Sequence, residues 1–130
     1  MTLAEAEQLV VRNHDGLHEL MDELEQLATR SAAGDTVAER DLRSLSLEVA
    51  TELQRHLTFE EQHWYPHLAA RLTRPQLARN DVQHRKQRRC IELLRRHAKS
   101  APLRALVECV GDLIRHFRRH TVREHALLST

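Results

Sequence analysis

Apolar residues recur at intervals of three and four through four blocks of the chain, the period of helices that each bury one face. The first block carries Leu3, Ala6, Val10, Leu17, Met21, Leu24 and Ala28, and Thr2-Leu-Ala-Glu5 at its start fits a capping box. Residues 31–35, with Gly34 among them, break it. A second capping box, Thr36-Val-Ala-Glu39, opens a stretch through Leu42, Leu45, Val49 and Leu53 to about Leu72. Thr73-Arg-Pro75 reads as a stop and restart, with a third helix running to about Ala98. Ser100-Ala-Pro102 restarts a fourth, whose buried face holds Leu106, Cys109, Val110, Leu113 and Phe117. Short connections between long amphipathic helices predict antiparallel neighbours. The expected fold is an all-α, up-down-up-down four-helix bundle, a single domain over residues 1–130. Pro66 is the local conflict, because inside a helix it leaves the Gln62 carbonyl without its partner. The helix must kink there, or a new short helix must begin.

Composition agrees with this reading. Gly and Pro number 3 each, too few for a barrel or sandwich of many short strands. No apolar run approaches the ~18–20 residues of a membrane span, and MTLAEAEQLV lacks the basic and apolar regions of a signal peptide. A cytoplasmic location is expected. Cys90 and Cys109 form no metal-type spacing and read as small buried or half-buried side chains. Charge is divided: residues 1–65 hold 5 Lys/Arg and 14 Asp/Glu, whereas residues 66–130 hold 15 and 5. Acidic helices lying beside basic ones inside one bundle account for this better than a nucleic-acid surface. The basic run Arg85 to Arg89 has no interleaved aromatics on which bases would stack.

Histidine changes the picture. There are 10 in 130 residues, and four of them fall on the inward stripes. His14 continues Val10–Leu17–Met21, and His84 lies between Leu77 and Ile91. His56 and Glu60, four apart, extend Val49–Leu53, while His120 and Glu124 extend Leu113–Phe117. The order His, His-x-x-x-Glu, His, His-x-x-x-Glu is thus a two-fold internal repeat. An ionised carboxylate in an apolar core costs several kcal/mol unless something pairs it. Metal ions would remove that cost for Glu60 and Glu124, and each carboxylate has two oxygens with which to bridge a pair of metals. Two six-coordinate metals would leave room for an oxide or hydroxide bridge and a small ligand, the type of site that binds or reduces oxygen species.

The series His14, His56-x-x-x-Glu60, His84, His120-x-x-x-Glu124 resembles the hemerythrin-like (HHE cation-binding) domains. The string HLTFEEQHWYPHL, from His56 to Leu68, is similar to that family's His-x-x-x-Glu-Glu segment followed by a hydrophobic pair, Pro and Leu. The resemblance covers essentially the whole chain. It implies a four-helix bundle around two non-haem iron ions, a ligand among O2, peroxide and NO, and a helix that continues past Pro66. Members include oxygen carriers and sensors and proteins linked to peroxide breakdown, so catalase-like activity is among the possibilities it implies. Oxygen carriers place a second histidine four residues from the third-helix ligand. Here Asn80 and Arg88 stand at that spacing from His84, and His125 rather than a second Glu follows Glu124.

Of the other histidines, His18, His63, His67 and His116 fall near the inward stripes and are expected to line the cavity, and whether His18, His63 or His116 is a fifth ligand is left open by the sequence. His97 and His125 fall off the stripes and are expected in solvent, and Phe59, Trp64 and Tyr65 read as packing or surface residues. No residue stands out as a proton donor beside the metals. Two alternatives remain open: a ferritin-like metal site using Glu60-x-x-His63, and a helical adaptor with a basic face. Because imidazole binds metal only when neutral, affinity is expected to fall steeply below about pH 6.

Overall fold

Three of the four long helices start where a side chain satisfies the first free N–H groups. In the computed structural model, which describes residues 1–128, α1 spans Leu3–Ala32 and is capped by the Thr2 hydroxyl, which accepts from the Glu5 N–H at 3.2 Å. α2 spans Thr36–Phe59, but its cap is Asp35 rather than Thr36, with the carboxylate accepting from the Ala38 N–H at 3.0 Å. The reason lies in the preceding turn. Gly34 adopts a left-handed φ of 101°, which bends the chain so that the Asp35 N–H reaches the Arg30 carbonyl at 3.1 Å. Asp35 is thereby aimed at the new helix one residue before Thr36.

Beyond Phe59 the helix widens into a π-turn, Glu60–Trp64, followed by the short α3, Tyr65–Leu68. The Tyr65 N–H bonds to the Glu60 carbonyl, five residues back. Pro66, without an N–H, then sits in the first turn of α3, where that loss costs least. Of the two outcomes Pro66 allowed, a new short helix begins, and the stretch read as far as about Leu72 ends its regular helix at Leu68. α4 spans Arg74–Ser100 from a complete Thr73/Gln76 capping box, and α5 spans Leu103–His125.

α1 packs on α2 and α5, and α4 packs on α2 and α5. With short turns between successive long helices, the four form an up-down-up-down bundle, and the described residues contain no strand. No helix among them is long and apolar enough to cross a membrane. The core is split in two. A large aliphatic cluster, including Met21, Leu24, Leu42, Leu57, Leu94 and Leu106, fills most of the bundle. A small one, Ala6, Val10, Trp64 and Leu68, closes the end where α1 begins. His14 lies between them on α1, one turn past Val10 and just before Leu17.

Charge is only partly neutralised within the bundle. Arg118 of α5 reaches Asp22 and Glu25 of α1 at 3.0 and 3.1 Å, and Arg88 of α4 pairs with Glu61 at 2.6 Å. Arg79, Arg85, Lys86, Arg89, Arg119 and Arg123 form no ion pair among the described residues. The acidic α1 and α2 thus lie beside the basic α5 and α4, as expected, while much of the basic half's charge faces solvent.

Candidate metal centre

Between the two apolar clusters lies a layer of buried polar groups drawn from all four long helices and the π-turn. His14 (α1), His56 (α2), Glu60 (π-turn), His84 (α4), and His120 and Glu124 (α5) are each at most 5% exposed. Their ligand atoms form two overlapping groups, His14–His56–Glu60–Glu124 and Glu60–His84–His120–Glu124, with the atoms of each within 4.8 Å of one another. The two carboxylates are common to both. Glu60 turns Oε2 toward His14 (3.4 Å) and His56 (3.1 Å) and Oε1 toward His84 (3.2 Å). Glu124 turns Oε1 toward His14 and Oε2 toward His120, each at 3.1 Å. Each carboxylate thus divides its oxygens between two sets of imidazoles, the arrangement that two bridged metals require.

The donor set fits metal better than it fits itself. Both Glu60 oxygens are buried without a hydrogen bond, and His14 and His56 approach Nε2 to Nε2 at 3.1 Å. These two His/Glu groups match a diiron binding site of the hemerythrin type. With no metal, protons must serve instead. Burial alone would lower the His14 pKa, but Glu124 and Glu60 outweigh it and raise it to about 9. For His84 the same opposition, again led by burial and won by Glu124 and Glu60, ends at about 10. Burial would raise both glutamates, but their histidine partners hold them below the ordinary carboxylate value.

The sign of the pH dependence follows. A histidine whose folded pKa lies above its unfolded value of 6.5 stabilises fully below 6.5 and loses that contribution as pH rises through 9 to 10. Metal-free protein is expected to lose on the order of a few kcal/mol between pH 6.5 and 10. Urea unfolding after chelation, repeated across that range, checks this, and a flat or rising curve would refute it. At His14 and His84 a proton therefore competes with metal at higher pH than it would at an ordinary imidazole.

Tyr65, read from sequence as packing or surface, belongs to the site. Its hydroxyl donates to Glu124 Oε2 at 2.8 Å and lies 2.7 Å from His84 Nε2. Burial, then the nearby carboxylates, pushes its pKa above the usual phenol value, so it keeps its proton. A continuous α-helix turns residue i+5 about 140° away from residue i. The π-turn brings that residue back over Glu60. Only a signal for the π-turn, Pro66 six residues after an inward Glu60, was available in the sequence to find it.

His84 is fixed from behind as well. Its Nδ1 lies 2.9 Å from Glu61 Oε2, and Arg88 grips both Glu61 oxygens at 2.6 Å. The Arg88 guanidinium is the main reason Glu61 titrates down at about 2. Arg88 thus stands four residues after His84 and serves that ligand through Glu61. Removing such a support typically costs 10–100-fold in metal affinity. Glu61→Ala is expected to fall in that range by competitive chelator titration, and unchanged affinity would show the clamp to be idle.

None of the four histidines expected to line the cavity joins either ligand group. His63 is exposed and packs on Phe59 at 5.2 Å, so the Glu60-x-x-His63 pair of a ferritin-like site is not formed. His67 meets the Met1 carbonyl at 3.1 Å. His18 packs edge-on to Phe117 at 5.0 Å, and His116 stacks on His120 at 6.5 Å. His125 is exposed, as expected, yet its ring stacks on His14 at 5.5 Å. His97 is half-buried rather than solvated, with Nδ1 2.7 Å from the Leu93 carbonyl. Trp64 is fully buried, and its indole N–H donates to Glu7 at 3.2 Å.

Among known proteins, the family model described as the Hemerythrin HHE cation binding domain matches residues 6–129. No curated protein and no solved structure matches the chain.

Proposed function

Since the chain belongs to the hemerythrin HHE cation-binding family, we propose that it holds two irons on His14, His56, Glu60, His84, His120 and Glu124 and there binds or reacts with O2, peroxide or NO in the cytoplasm. One observation carries this reading: Glu60 and Glu124 each present one oxygen to each of the two histidine groups. Iron, when bound, supplies electrons and open coordination positions for a small molecule. The chain supplies the rest. Its histidines would offer Nε2, which each turns toward the carboxylates, the clamp of Glu61 and Arg88 orients His84, and the aliphatic cluster on one side excludes bulk water.

Tyr65 favours a second reading, peroxide breakdown. The sequence showed no proton donor beside the metals, whereas the Tyr65 hydroxyl stands on Glu124 with its proton in place. Iron-loaded protein is expected to carry about two irons per chain. Rapid mixing of the reduced form with O2, and separately with peroxide, distinguishes the readings. A stable, reversible adduct supports carriage or sensing; sustained O2 release from peroxide supports catalysis, and Tyr65→Phe should slow it. A folded chain that takes up no iron would end both.

A further inference from the structure

Two clefts reach the ligand layer from outside, and their charge differs. One, of about 510 Å³ between α1 and α2, touches the layer only at His56. Its charged walls are balanced: Arg12 and Arg55 face Glu48 and Glu52, and Arg55 pairs with Glu52 at 2.8 Å. The other, of about 440 Å³ between α4 and α5, has both His120 and Glu124 in its lining. Its remaining charged groups are Arg79 and Arg123, both exposed and without an ion pair among the described residues. Asn80 and Gln83 line it between them, and the Asn80 amide nitrogen is buried without a hydrogen-bond partner.

This cleft shares Gln83 and Arg123 with a neighbouring groove of about 310 Å³ farther along α4 and α5. There Lys86, Arg115 and Arg119 add to Arg123, against a single carboxylate, Asp112, which Arg115 already engages. The two spaces make one cationic trough that runs to a pair of ligands. Oriented positive charge on low-dielectric walls concentrates anions and raises their association rates by 10 to 10³. It does nothing comparable for a neutral diatomic.

We propose that the α4–α5 cleft is an anion site that admits small inorganic monoanions to the centre through Arg79, Arg123 and the Asn80 amide. The proposal rests on the diiron reading and names the class of ligand that reading leaves open. The experiment uses the iron-loaded chain, with azide as anionic probe and NO as neutral probe, each followed by its absorbance change in stopped flow. In Arg79→Gln/Arg123→Gln the azide association rate should fall about ten-fold while the NO rate stays the same. Salt should slow azide in the parent chain much more than in the variant. Azide and NO rates that change together, or an azide rate that does not change, would overturn the cleft assignment in protein shown to hold its iron. Parent chain that takes up no iron would overturn the diiron reading and the cleft with it.

Discussion

Glu124→Ala is expected to reduce bound iron from about two per chain to less than one, an effect matched only by loss of Glu60, the other carboxylate common to both ligand groups. Glu124 faces His14, His120, His84 and Tyr65 within one 1%-exposed side chain, and it belongs to both ligand groups. A histidine variant removes a donor from one group only; this change removes a shared oxygen pair and half the negative charge that neutralises the metals. It also takes away one of the two carboxylates that raise His14 and His84, so the metal-free variant should show a weaker pH dependence than the parent chain. Glu124→Gln is the matched control. It keeps the shape of the side chain but not the anion, and it too should fail to hold two irons. Metal analysis by plasma spectrometry on folded protein decides the matter, and two irons retained in either variant would remove Glu124 from the bridging role.

The largest loss of stability is expected from Trp64→Ala, about 3–5 kcal/mol. Trp64 has no exposed surface and is by far the largest side chain of the small cluster with Ala6, Val10 and Leu68. Its removal leaves a void that three small or medium side chains cannot fill. A melting-temperature drop of roughly 10–20 °C corresponds to that cost for a domain of this size. Trp64→Phe should lose much less, since it keeps most of the volume and gives up the bond to Glu7. Calorimetry of the three proteins side by side checks the order, and an alanine variant within 1 °C of the parent would contradict it.

The six clustered positions were legible because five lie in regular α-helix and Glu60, the first residue past α2, still bonds back to the His56 carbonyl, so a spacing of four means a shared face. The same rule misplaced two residues just beyond it. Three past Glu60, it put His63 near the cavity; five past, it put Tyr65 outside. The π-turn reverses both, with His63 exposed and Tyr65 on Glu124. Pro66 marked the irregularity in the sequence but did not say which way the helix would yield. The grip of Arg88 on Glu61 was illegible for another reason. Both side chains are long and half-buried at the margin of the apolar stripe, where periodicity says nothing about a partner 27 residues away. The Asp35 cap was missed because two adjacent residues could each cap a helix, and a glycine turn chose between them.

The division of the core has a consequence for how the molecule comes apart. The ligand layer separates the large aliphatic cluster from the small one, so few apolar contacts tie the two together. Bound metal would act as a rivet through that seam, joining the start of α1, the π-turn and the end of α5 to the rest. In its absence those segments are expected to open as a separate unit below the global unfolding free energy. Their amides should exchange with solvent well before those around Leu24, Leu42 and Leu94, and metal should bring the two rates together.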